Sequence, residues 1–229
     1  MLSDEVFEKL RKGSPVLIFD SDKREGETDI VVPSQFVKKE NILEMRKYGG
    51  GLICTSLTFE HSKKLGLDFL VNIFNKSGME IFKYLYPNDI PYDEKSSFSI
   101  TINHRKTFTG IPDKDRALTI SEFAKLLSKL DSLDENQAKI EFGRNFRAPG
   151  HVHLLIASEN LLKSRRGHTE LSTTLMILAG LVPSATMVEM LSDDGSSLPQ
   201  SKAKSYAIEH NYPFIEGKEI IERVENWSE

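Results

Sequence analysis

The sequence predicts an α/β (α+β) fold, a single domain in which helices pack around one mixed β-sheet. Two patterns carry that expectation. Short apolar runs bounded by turn residues, such as PVLIFD at 15–20 and HVHLLIA at 151–157, read as buried strands. Apolar residues at helical spacing, among them Leu171, Leu175, Leu178 and Val182, lie between such runs. The two kinds of segment are interspersed without strict alternation, which favours a mixed sheet over a wholly parallel one. No linker interrupts the pattern, and 229 residues that are 39% hydrophobic suffice for one large core. The expected unit is residues 1–229.

In chain order, Asp4 is placed to cap a first helix that ends near Lys12-Gly13. Residues 15–20 form the first strand, a polar loop covers 21–29, and a second strand runs over 30–32. Residues 41–47 are helical until Gly49-Gly50-Gly51 breaks the run, and LICTSL at 52–57 returns as a strand. The stretch 72–97, which contains YPNDIPYDEKSS, reads as one long loop because of its two prolines and many polar groups. FSITI at 98–102 alternates as a strand does. A helix is expected over 120–130, capped by Thr119 or Ser121, and Pro149-Gly150 marks a turn before the strand at 151–157. A helix after Gly167-His168, a strand at 186–190, a helix at 201–209 and a short strand at 213–215 complete the order.

Composition narrows the function. A net charge of -4 disfavours a general nucleic-acid binder, which needs a basic surplus on one face. No run approaches the roughly 18 apolar residues of a membrane span. The start, MLSDEVFEKLRKGSP, lacks the basic segment and apolar run of a signal peptide. The single cysteine, Cys54, rules out a disulfide within the chain and suits a reducing compartment. A cytoplasmic protein is expected.

Several segments carry chemistry. Five of the ten residues 20–29 are carboxylates (Asp20, Asp22, Glu25, Glu27 and Asp29), and they follow directly on a strand. Hard divalent cations take such oxygen ligands, while a solvated acidic turn accounts for the same residues. Gly26 lets the backbone bend between two acids, and Arg24 can neutralise charge or grip an anion. Arg165-Arg166-Gly167-His168-Thr169-Glu170 opens a helix, where free N–H groups and two arginines favour a phosphate. Plain capping explains Thr169 and Glu170 equally well. His168, where the helix dipole depresses an imidazole pKa, suits a neutral metal ligand. His151 and His153 share one face of a strand. Glu189 stands in an apolar strand and needs a partner, for which an arginine is one choice. Burial would raise its pKa and suit it to proton transfer. Asp193-Asp194-Gly195 is a turn, and Cys54 taken alone is a small buried hydrophobe.

Taken together, FDSDKREGETD, TGIPDKDRALTI, FRAPGHVHLL, RRGHTELSTTLMILAGLVP and VEMLSDDG resemble the 3,4-dihydroxy-2-butanone 4-phosphate synthases in order and spacing, from about residue 7 to 216. The likeness is to the stand-alone form, without a GTP cyclohydrolase II segment. It implies that Glu25 and His168 bind metal and that Arg24 and Asp29 contact substrate. It also implies that Arg165, Arg166, Gly167 and Thr169 hold the substrate phosphate. His151 and Glu189 match positions essential for catalysis, and Asp20, Glu27 and Cys54 match residues lining the same site. Two departures stand out. Phe108 interrupts a threonine-rich run, leaving Thr107 and Thr109 as phosphate contacts, and Arg166 occupies a position where a small residue is common.

The resemblance further implies conversion of ribulose 5-phosphate, a small sugar phosphate, into 3,4-dihydroxy-2-butanone 4-phosphate and formate. The cofactor would be Mg²⁺ or Mn²⁺, with two ions per site. The partner would be a second copy in a homodimer whose sites lie at the subunit interface, with no nucleic acid and no membrane. A metal-dependent phosphatase or isomerase, and a nucleotide- or RNA-binding module, are the rival readings.

Overall fold

A computed structural model describes residues 2–226; Met1 and residues 227–229 of the expected unit lie outside the described residues. All seven expected strands are present: β1 Val16–Phe19, β2 Thr28–Pro33, β3 Cys54–Leu57, β4 Phe98–His104, β5 Phe146–Ile156, β6 Ala185–Glu189 and β7 Phe214–Glu216. They form one sheet in the order β4-β5-β3-β6-β2-β1-β7. It is mixed, because β1–β7 and β3–β5 pair in parallel and the other neighbours are antiparallel.

Alternation along the strands sends residues to two faces. One face carries Ile18, Val31, Cys54, Leu155, Met187 and Ile215. It packs against α1 (Asp4–Arg11), α8 (His168–Leu178) and α10 (Gly217–Glu225). The other face carries Leu17, Ile30, Val32, Leu154, Ile156 and Val188. It meets α2 (Lys39–Glu44), α3 (Phe59–Leu65), α6 (Asp113–Leu127), α7 (Glu135–Asn145) and α9 (Gln200–Glu209) through Ile42, Leu65, Phe123, Ala138 and Ala203. Nine consecutive residues of α8, His168 to Met176, are buried. Two of its hydroxyls bond back within the helix, Ser172 to the His168 carbonyl and Thr173 to that of Thr169. This helix lies over β2, β3 and β6 and brings His168 to the ends of those strands.

The differences from expectation have local causes. Ser3, not Asp4, is at the N-cap of α1, and Asp4 lies in its first turn. The helix expected at 120–130 starts at Asp113, directly after Pro112. Pro112, Asp113 and Asp115 are a helix-start pattern, and Thr119 is a buried mid-helix residue whose hydroxyl accepts the His104 N–H. The expected loop 72–97 is partly helical, since α4 (Leu70–Lys76) runs into it and α5 (Ile81–Tyr84) lies inside it; residues 77–80 and the stretch beyond Tyr84 are irregular. Pro149 and Gly150 do not end a strand but lie within β5, where its pairing with β4 shifts register. The helix before the triglycine run ends in a π-turn over Met45–Gly49. α3, α7 and α10 were not expected. Among the described residues no helix is long and apolar enough to cross a membrane.

Candidate active site

The acidic loop is folded by its own first residue. The Asp20 carboxylate accepts the backbone N–H groups of Glu25 (3.0 Å) and Glu27 (3.1 Å). Gly26, at φ +69°, makes the turn between them, a conformation that favours glycine. The loop therefore presents Glu25 toward the start of α8. There His168 donates from Nε2 to the Ile18 carbonyl (3.2 Å), which leaves Nδ1 facing the Glu25 carboxylate at 3.4 Å. Asp20, Glu25 and His168 each offer a ligand atom within 4.8 Å of the others, as a shared cation requires.

Asp29 adjoins this cluster and faces Glu189 across the β2–β6 pair. It is buried, and its Oδ1 has no hydrogen bond, although His168 Nε2 is 3.6 Å away. Burial above all, with Glu189, Glu25 and Glu27 nearby, pushes its carboxyl up to about 8 against the pull of His168. Burial works to lower the His168 pKa, but Asp29, Glu25 and Asp20 overcome it and raise it to about 10. The sequence argument expected a neutral imidazole. The neighbouring acids outweigh the helix dipole, so in the absence of a cation the ring keeps its proton.

Glu189 ends β6, and among the described residues no arginine pairs with it. Its Oε2 accepts the Leu52 N–H at 2.8 Å, and burial raises its pKa. A Cβ on Gly51 would collide with that carboxylate, which explains the last glycine of the triglycine run by space rather than by backbone freedom. Cys54 lines the same cavity, its thiol pushed well up by burial and by the charges of Glu189 and Asp29.

The arginine-bearing side of the site is built around Asp93. Its carboxylate accepts from Arg165 Nε at 2.6 Å and pairs with Arg24. Arg165 Nη1 also bonds the fully buried Glu170 at 2.6 Å, whose other oxygen accepts the Ser158 N–H. The Arg24 guanidinium lies 5.5 Å from the Tyr92 ring centre. A Cβ at Gly167 would strike both guanidinium groups, so this glycine makes room for the arginines. Of these groups Tyr92, Asp93 and Arg165 line a cavity of about 190 Å³ together with Glu25, Glu27, Asp29, Thr169 and Glu189, whereas Arg24 and Gly167 do not.

Four expected site residues lie elsewhere in this chain. Arg166 is exposed and turned toward Glu225 at 3.9 Å. Thr107 is buried and hydrogen-bonded to the His104 carbonyl, and Thr109 is exposed in the loop after β4. His151 is exposed, and its ring nitrogen is 3.1 Å from the Asn103 amide. By alternation along β5 it shares the sheet face of Cys54 and Glu189, but toward the β4 edge that α8 leaves bare. Sequence reasoning missed Tyr92, Asp93 and Lys95, all lining the cavity, although the polar, proline-bearing stretch that holds them was visible.

Metal-assisted enzymes acting on small phosphorylated substrates are the class that this fold and site define. The comparisons with known proteins make the class specific. The profile of the 3,4-dihydroxy-2-butanone 4-phosphate synthase family matches residues 4–223. The chain belongs to that family. The 3,4-dihydroxy-2-butanone 4-phosphate synthase of Methanothermobacter thermautotrophicus is 46% identical over 97% of this chain and 95% of its own. That of Archaeoglobus fulgidus is 44% identical over 99% of this chain and 95% of its own. Among solved structures, the Candida albicans synthase superposes with a TM-score of 0.74 at 25% identity, covering 96% of each chain. A synthase solved in complex with two magnesium ions shares the fold, with a TM-score of 0.74 at 22% identity over 97% of this chain and 96% of that one.

Proposed function

We propose that the chain converts D-ribulose 5-phosphate into 3,4-dihydroxy-2-butanone 4-phosphate and formate, in riboflavin biosynthesis, as a cytoplasmic enzyme. The observation that carries this reading is the approach of Glu25 and His168 within one chain, beside the Arg24–Arg165 pair. Glu25 and His168, with Asp20 next to them, would hold a divalent cation of the Mg²⁺ or Mn²⁺ type. The donors fit it: they are hard oxygens and one imidazole within reach of one another, and Asp29 beside them keeps an oxygen without a hydrogen bond to a protein group. A cation bound there supplies charge stabilisation for the sugar oxygens when a proton next to the carbonyl is removed. A second ion of the same kind, which Glu25 would also help to hold, is part of the proposal.

The chain's own groups do the rest. Arg24, Arg165 and the free N–H groups at the start of α8 bind the phosphate, with Gly167 and Thr169 shaping that end. Glu189 is oriented by the Leu52 N–H and holds a proton more readily than an ordinary carboxylate, so it exchanges protons with the carbon skeleton. Asp29 binds substrate hydroxyls. His151, Thr107 and Thr109 act from a second copy in a homodimer. Support for that arrangement comes from the bare β4–β5 half of the sheet face and its apolar groove of about 580 Å³, lined by Leu52, Phe98, Ile100, Pro149 and His153.

Incubation with ribulose 5-phosphate and Mg²⁺ tests the reading, which expects stoichiometric formate. Inorganic phosphate, or an isomeric pentose phosphate without formate, would instead assign a phosphatase or an isomerase.

A further inference from the structure

We propose that Ser197 is a positioning residue that fixes the Glu27 carboxylate over the cavity, an inference that rests on the placement of Glu27 in the proposed site. Ser197 Oγ donates to Glu27 Oε1 at 2.5 Å. This is the side-chain counterpart of the backbone bond from the Glu27 N–H to Asp20. The two anchors hold different parts of one residue, and neither alone orients its carboxylate. No other protein group among the described residues hydrogen-bonds to that carboxylate, so Oε2 is left for a substrate hydroxyl.

The hydroxyl is delivered by a rigid turn. Beyond β6 the chain reverses at Asp193-Asp194-Gly195, with Gly195 at φ +86°. Asp194 Oδ1 accepts both the N–H (3.0 Å) and the hydroxyl (2.6 Å) of Ser196. The Ser192 N–H donates to the Ser196 carbonyl at 2.8 Å, and Leu191 bridges to Ser197. The Leu198 N–H returns to the Met190 carbonyl at 2.8 Å, which locks the turn onto the residue after Glu189. Ser197 therefore has a fixed position relative to Glu189. Through the Ser197 bond, the turn sets the spacing between the two carboxylates that face the substrate. The acidic turn thus has a use that its sequence alone did not disclose.

The test uses the full chain with Mg²⁺, comparing Ser197→Ala, Ser197→Thr, Glu27→Gln and the Ser197→Ala/Glu27→Gln pair. Removing a hydrogen bond to a charged group should lower kcat about tenfold in Ser197→Ala. The Mg²⁺ affinity and Tm should hold, and Ser197→Thr should restore kcat. In the Glu27→Gln background the Ser197→Ala effect should shrink severalfold, because the neutral amide oxygen that replaces the carboxylate accepts a weaker bond from Ser197. Hydrogen exchange of the 21–27 segment, read without substrate, should quicken in Ser197→Ala. Unchanged exchange, or an equal Ser197→Ala effect with and without Glu27, overturns the proposal. If the wild type releases no formate while exchange still responds to Ser197→Ala, the assigned reaction fails and the positioning contact stands.

Discussion

Cation binding should be strongly linked to pH. The perturbation is a change from pH 6.5 to 8.5 in cation-free protein. Across that range His168, held at about 10 by Asp29, Glu25 and Asp20, carries a proton. A cation that takes its free nitrogen must displace that proton, so affinity should rise about tenfold per pH unit and about a hundredfold over the range. Asp29, raised to about 8, gives up a second proton where it also meets the cation, steepening the slope below pH 8. The same groups set the stability of the cation-free protein. A folded His168 pKa above the ordinary 6.5 contributes stability that is complete below pH 6.5 and lost as pH climbs toward 10. Asp29, with its folded pKa above 3.8, likewise loses ground as pH rises toward 8. Tm should therefore fall between pH 7 and 9, and Mg²⁺ should offset the fall. Calorimetric titration with Mn²⁺ in buffers of different ionisation heat measures both affinity and proton release. His168→Gln should flatten the profile. A wild-type affinity that is flat with pH, with no proton released, would refute the reasoning.

Other outcomes follow from individual contacts. Glu189→Gln keeps an acceptor for the Leu52 N–H but cannot exchange the proton, so kcat should fall about a hundredfold or more with Tm unchanged. Gly51→Ala drives a methyl group into the Glu189 carboxylate and should cost about 1–3 kcal/mol in denaturant unfolding while also lowering kcat. Arg165→Ala leaves the fully buried Glu170 unpaired, so besides raising KM it should lower Tm by about 10 °C; adding Glu170→Gln should recover stability without recovering KM. Asp93→Asn loosens the bridge between Arg24 and Arg165, and KM for the sugar phosphate should rise more than kcat falls.

Most strands were legible as short apolar runs ending in polar or turn residues; β4 showed itself by alternation, and β5 begins at Phe146, ahead of its apolar run, because the chain stays extended through Pro149-Gly150. The ends of helices were not. Pro112-Asp113 starts α6 inside a stretch that looks like a polar loop, and only the apolar half of that helix advertised itself. The convergence of the acidic loop with His168 was implied by the family resemblance, but the groups that orient it were not. Asp93 reaches Arg165 across 72 residues, and Ser197 reaches Glu27 across 170, and no local pattern encodes such pairings. The protonation of His168 was misjudged for the same reason. A helix start is a local signal, whereas two of the three acids that decide its charge, Asp20 and Glu25, come from the acidic loop and the third, Asp29, from β2.

The most direct test of the account is anomalous diffraction from crystals grown with Mn²⁺. The account predicts a peak within coordinating distance of both the Glu25 carboxylate and the His168 imidazole of the same protomer. A peak bound elsewhere, or one touching only one of the two side chains, would contradict it.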